Sequence, residues 1–209
     1  MNLEDLFEYL PYIIAFLSFF LFPLFFSKKK KAKKTVSDFL AHLQGIGVEV
    51  SELKAESELW KLGKKISRGN KPEGIFEVKN RSFDYIMITS NSSQYGINYY
   101  VEYLVRSSFS LRERPLQKTR MKRKKESFFT GKVTDVVWKG DPNLAQKLNM
   151  DYGLRHRLVH GGLEKFKGEI KIIPDQKHGY MRIKTGYSFP SLEIFLAIDT
   201  IAHHLKSGI

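Results

Sequence analysis

The sequence predicts an α+β chain: one transmembrane helix near the amino terminus, then a domain built on a mostly antiparallel sheet covered by helices. Three observations carry that prediction. Leu10 to Phe26 contains no charge and consists mostly of Leu, Ile and Phe. Strand-like runs then follow one another, and helix-like runs come after them, without regular βαβ alternation. Finally, Pro190 to Lys206 has the apolar stripe of an amphipathic helix, the candidate main cover of the sheet.

The apolar run of seventeen residues would be roughly 25 Å long as a helix, the short end of what a bilayer core requires. Tyr9 and Tyr12 suit the interface at one end, and Lys28, Lys29, Lys30, Lys31, Lys33 and Lys34 follow at the other. Pro11 falls in the first turn, whereas Pro23 predicts a bend close to the lysines. A cleaved signal peptide is disfavoured, because Glu4, Asp5 and Glu8 replace the positive n-region and no small-residue cleavage site follows. A retained signal-anchor remains, and the positive-inside rule places the lysines in the cytoplasm. The expected organisation is a short extracytoplasmic segment at 1–9, a span at 10–26, a polybasic segment at 27–34 and a cytoplasmic α+β domain at 35–209.

Within the domain, Val36, Phe39, Leu40 and Leu43 predict a helix from Thr35 to Gln44, with Thr35 as its cap. Ser51 to Ile66 reads as a second helix. Gly74–Lys79, Phe83–Thr89, Tyr95–Arg106 and Phe128–Trp138 read as strands, as do Lys167–Ile173 and Tyr180–Thr185 around a turn at Pro174 to Gly179. In the third of these, Ile97, Tyr99, Val101, Tyr103 and Val105 alternate with a face expected to be wet. Asp141-Pro142 is a helix start, with Asp as cap and Pro at the first helical position. A further short helix is expected from Tyr152 to His160, stopped by Gly161-Gly162. In the closing helix, Ile194, Ile198, Ile201 and Leu205 share a face.

The net charge of +13 is concentrated in two places. Lys28 to Lys34 contributes +6 and Arg112 to Lys125 contributes +7, leaving the rest neutral. The second cluster comprises Arg112, Arg114, Lys118, Arg120, Lys122, Arg123, Lys124 and Lys125 against Glu113. It reads either as a solvated loop between strands or as a binding segment for anions. A span on the same chain raises the effective concentration of the leaflet, where each basic residue is worth about 1 kcal/mol. Anionic headgroups of the bilayer are therefore the expected partner of both clusters. An unspecified protein partner and nucleic acid are the alternatives.

Motifs for catalysis are sparse. There is no cysteine, so disulfides and thiolate chemistry are excluded. P-loop, G-x-G-x-x-G and G-x-S-x-G patterns are absent, and no metal or cofactor is expected. Asp135, Asp141, Asp151 and Asp199 are scattered, and His42, His178, His203 and His204 are read as surface residues. The segment Arg155-His156-Arg157-Leu158-Val159-His160-Gly161 resembles the active motif of HEPN-type ribonucleases. The resemblance implies an all-helical bundle in which Arg155 and His160 converge on an RNA backbone. The same residues also read as cations in the last turns of a short helix, where they complement exposed carbonyls. The expectation for the whole chain is a membrane-apposed binding or scaffold module rather than an enzyme.

Overall fold

The computed structural model describes Tyr12 and residues 30–67, 69–106, 116–126, 132–163, 166 and 169–207. The chain divides into two compact units, Met1–Asp38 and Phe39–Ile209. In the first, Tyr12 is helical and exposed, and Lys30, Lys31, Lys33 and Lys34 are helical and exposed. Lys28, Lys29 and, apart from Tyr12, the apolar run Leu10–Phe26 lie outside the described residues. Among the described residues no helix is long and apolar enough to cross a membrane.

The second unit is built on a single eight-stranded sheet, antiparallel throughout. Its strands are β1 (Val50–Glu52), β2 (Lys71–Val78), β3 (Tyr85–Ser93), β4 (Gly96–Arg106), β5 (Thr119–Lys125), β6 (Val133–Lys139), β7 (Lys171–Asp175) and β8 (Tyr180–Gly186). The spatial order is β1-β2-β3-β4-β8-β7-β5-β6. Hairpins join β2 to β3 and β3 to β4, whereas β1 pairs with β2 across a longer connection that contains a helix. The order then inverts, because β8 joins β4, and β7 lies between β8 and β5.

Helix α1 (30–45) carries the boundary between the units, and α2 (Glu58–Ile66), α3 (Pro142–Met150), α4 (Tyr152–His160) and α5 (Leu192–Lys206) follow. As expected from its stripe, α5 is the main cover. Ile194, Phe195, Ile198, Ile201 and Leu205 are all buried, and the helix packs on β4 and β8. Phe195 meets Phe83 and Tyr103 edge-on, at centroid distances of 5.5 and 6.4 Å. Helices α3 and α4 lie beside it against β6. On the other face, α2 covers only one half of the sheet. Ile66 of α2 forms a cluster with Ile75, Met87, Leu104 and Tyr180, flanked by Trp60 and Leu62.

Several expectations are corrected. Thr35 is not a cap: the helix already runs through Lys30 to Lys34, and the Thr35 hydroxyl donates back to the Lys31 carbonyl at 2.9 Å. Lysine is a good helix former, so the polybasic segment does not interrupt the helix. Ser51 to Ile66 is split, because Val50–Glu52 pairs with β2 and Ser57 caps a new helix by accepting from the Trp60 N–H. The polar run Ser90–Ser93 is strand rather than loop, paired with Gly96–Tyr99 across a two-residue turn. The wet face expected for β4 is also wrong in its second half, where Glu102 and Leu104 are buried.

Candidate functional site

The basic segment is not a loop over its second half. Thr119–Lys125 is β5, paired with β6 along its length and with β7 at its start. Its alternation is regular: Thr119 and Met121 are buried, while Arg120 and Lys122 are exposed on the other face. Two inward residues in this short stretch are enough to set which face each lysine takes. The start of the strand is pinned from β6. Gly140 has φ +139°, and an added Cβ there would run into the Lys118 carbonyl oxygen and Thr119 Cα. The next residue, Asp141, donates its N–H to Thr119 Oγ1 at 3.1 Å and accepts from Leu144 N–H as the cap of α3.

The register gathers cations that are far apart in the chain. Lys184 on β8 is paired with Lys171 on β7, Lys171 with Arg120 on β5, and Arg120 with Lys139 on β6. Four basic residues therefore lie in one row across four strands, spaced by about 4.8 Å per strand. The opposite face of these strands is apolar, with Met121, Trp138, Ile172 and Ile183 buried. Among the described residues no helix lies over the row between β7 and β6.

Carboxylates flank the row on both sides. At its inner end Glu102 on β4, 0% exposed, accepts from Arg182 Nη1 at 3.0 Å, Lys184 Nζ at 3.2 Å and Thr89 Oγ1 at 3.2 Å. Lys184 Nζ also lies 4.1 Å from the centre of the Tyr100 ring. At the outer edge Asp135 on β6 pairs with Lys124 Nζ at 3.1 Å and Arg155 Nε at 2.6 Å. Burial opposes the charged form of Asp135. The hydrogen bonds from Lys124, the Val136 N–H and Arg155 outweigh that and hold its carboxyl below the ordinary carboxylate range. Lys171 shares its charge with Glu169 at 3.2 Å. Arg120, Lys122 and Lys139 have no ion-pair partner among the described residues. Like charges directly opposite one another destabilise a sheet, so the patch of Arg120, Lys122 and Lys139, whose cations have no carboxylate partner among the described residues, is suited to an anion.

The remaining basic residues predicted from sequence are placed differently. Arg123 takes the other face and donates to the Phe166 carbonyl at 2.8 Å. Lys118 and Lys125 are exposed at the two ends of β5. Arg112 and Arg114 lie outside the described residues.

The structure does not bring Arg155 and His160 together. Arg155 is engaged with Asp135, while His160 meets His156 at a tilt, with ring centres 4.4 Å apart, and lines a cavity of about 420 Å³ with His42, Phe189 and Ser191. Five residues along a helix separate two side chains by about 140°, and α4 sits beside a sheet rather than in a helical bundle. Three of the histidines read as surface residues have partners instead. His42 bonds the Pro190 carbonyl at 2.7 Å, His178 bonds Asp175 at 2.9 Å and His204 bonds Asp151 at 2.7 Å.

No family model, no curated protein and no solved structure matches this chain. Sequence reasoning missed Lys139, Lys171, Lys184 and Glu102 as members of the basic face. Alternation in Arg182-Ile183-Lys184 was a readable signal for which face they take, but their neighbours depend on strand register.

Proposed function

We propose that this chain is a membrane-anchored binding module. Leu10–Phe26 is its single span, with Met1 outside and the α+β domain in the cytoplasm, and the basic sheet face engages anionic headgroups of the facing leaflet. The observation that carries this reading is the row Lys184, Lys171, Arg120 and Lys139 on a sheet face that no described helix covers. The apolar run and the lysines behind it supply the tether. A flat row of donors complements a charged plane, and the tether raises its local concentration. Nucleic acid is a weaker fit, because strand-borne readers add open aromatic platforms. On this face the Tyr100 ring is already occupied by Lys184.

The test is flotation of full-length chain, reconstituted in neutral-lipid nanodiscs, with vesicles containing anionic lipid and with RNA as competitor. Binding to the vesicles is expected, and it should fade toward ~1 M salt as the Debye length shrinks to ~3 Å. Absence of vesicle binding, or outright displacement by RNA, would remove this reading.

A further inference from the structure

We infer that the basic face contains a focal site, centred on Arg120, for a lipid headgroup bearing two or more phosphates. This rests on the membrane reading above and names its ligand. A merely electrostatic face needs charge spread over its area, but here the carboxylates confine it. Glu102 offsets one of the two charges on Arg182 and Lys184 on one side, and Asp135 one of the two on Lys124 and Arg155 on the other. Among the described residues the cations with no carboxylate partner are Arg120, Lys122 and Lys139, with the half-exposed Lys171 adjoining and partly balanced by Glu169.

Arg120 is the middle of that group. Its cross-strand neighbours are Lys139 on β6 and Lys171 on β7, at about 5 Å between Cβ atoms, and its neighbour along the strand on the same face is Lys122. The guanidinium offers a planar fork that takes one phosphate bidentately, while lysine ammoniums act as point charges that adapt to a second. A single phosphodiester would satisfy the fork and leave the lysines repelling one another. Two phosphomonoesters on neighbouring atoms, each carrying about −1.5 to −2 near neutral pH, match the charge of the whole group. Soluble polyphosphates share this chemistry, so the source of the phosphates has to be separated by experiment.

Full-length chain in neutral-detergent micelles is titrated calorimetrically with pyrophosphate and with orthophosphate at equal ionic strength. The same chain is then measured in micelles doped with a bisphosphorylated inositol lipid or, at matched charge, with phosphatidylserine. Pyrophosphate is expected to saturate one site at least about tenfold more tightly than orthophosphate, and the inositol lipid to outbind phosphatidylserine by a similar factor. Arg120→Gln should lose about tenfold or more and Arg120→Lys several-fold, because the fork is lost while the charge is kept. Lys125→Gln, at the end of β5 and outside the group, should stay within about twofold. Equal losses for Arg120→Gln and Lys125→Gln, or equal binding of the two phosphates, would overturn the focal site. Vesicle flotation would then still stand on diffuse charge. Tight pyrophosphate binding with no preference between the doped micelles would overturn the headgroup assignment, leaving a site for a soluble polyphosphate. Loss of both titration and flotation would remove the membrane reading as well.

Discussion

On the face opposite α5, the two halves of one sheet carry opposite chemistry. Between β2 and β4 that face holds Ile75, Met87 and Leu104 beneath α2. Between β7 and β6 it holds Lys171, Arg120, Lys122 and Lys139 with no described helix above them. The backbone is the same antiparallel ladder throughout, so the difference lies in side chains alone. The change occurs within one row: Met87 pairs with Glu102, and Glu102 with Lys184. A buried carboxylate is thus the seam between a half that packs and a half that stays open. The open half keeps its order because its other face is largely apolar, with Met121, Trp138, Ile172 and Ile183 buried.

That dependence gives the largest expected effect. Ile198 on α5 is fully buried, and Ile198→Asp should destabilise by about 5 kcal/mol or more, enough to unfold a domain of ordinary stability. Thermal melting of the full-length chain in detergent measures it. An unchanged midpoint would show that α5 is not the common support of both halves.

The seam comes next. Glu102→Gln leaves Arg182, 4% exposed, without its charge partner. Breaking a buried pair by removing one partner costs about 3–5 kcal/mol. Lys184, less deeply buried, can turn to water, so the loss should come chiefly through Arg182. Chemical denaturation should therefore rank Glu102→Gln well above Lys184→Gln. Equal effects would mean that the seam is set by the sheet and not by the pair.

How much of this was legible in the sequence depends on which interaction decides each feature. Helix starts were legible where local chemistry is complete: Asp141-Pro142 caps α3, and Tyr152–His160 ends at its glycines as expected. The closing helix was legible from its stripe. The basic face was legible only in part. Arg120 and Lys122 lie within the charged segment, but Lys139 and Lys171 come from strands whose charges cancel, and Lys184 from a strand far along the chain. Only strand register brings them alongside, and register depends on pairings between residues far apart. Glu102 was missed for a similar reason. Alternation put it on a wet face, whereas Thr89, Arg182 and Lys184 on the neighbouring strands hold it buried.

Replacing Arg120, Lys122 and Lys139 together by Ser should separate binding from stability. The change in stability should stay within about 0.5 kcal/mol per site, or be favourable, because repelling neighbours are removed. Attraction to anionic vesicles should fall by about 1 kcal/mol per charge. If the triple variant unfolds, the open half contributes more to the fold than its lack of cover implies.

A pH series sharpens the contrast at the helix-covered side. Asp151 caps α4 through Leu154 N–H at 2.8 Å and pairs with His204 at 2.7 Å. Burial works against its charged form, but those hydrogen bonds outweigh it, and its carboxyl titrates below the ordinary value of 3.8. A depressed carboxylate contributes stability that is fully present above 3.8 and is lost as pH falls through the lowered folded value. The melting difference between wild type and Asp151→Asn should therefore be constant near neutrality and shrink only below that point. A difference that already fades well above 3.8 would show that the Asp151 carboxylate is not its source.

The smallest expected effect lies at the outer edge, where Asp135 plays on the rim the part that Glu102 plays at the seam. Arg155 Nε is 2.6 Å from Asp135, but its side chain is 44% exposed. Exposed pairs are worth about 0–1 kcal/mol, and Lys124 remains on the carboxylate when Arg155 is removed. Arg155→Ala should thus shift the melt slightly, and less than Glu102→Gln does, although both break an acid–base contact on the same sheet. The same variant tests the ribonuclease resemblance. Because Arg155 is turned to β6 and His160 to the cavity beside His42, cleavage of RNA by the full-length chain should not depend on either residue. RNA cleavage abolished by both Arg155→Ala and His160→Ala, with melting intact, would show that the two side chains converge on a substrate after all. The edge of the basic face would then be catalytic and not a neutralised rim.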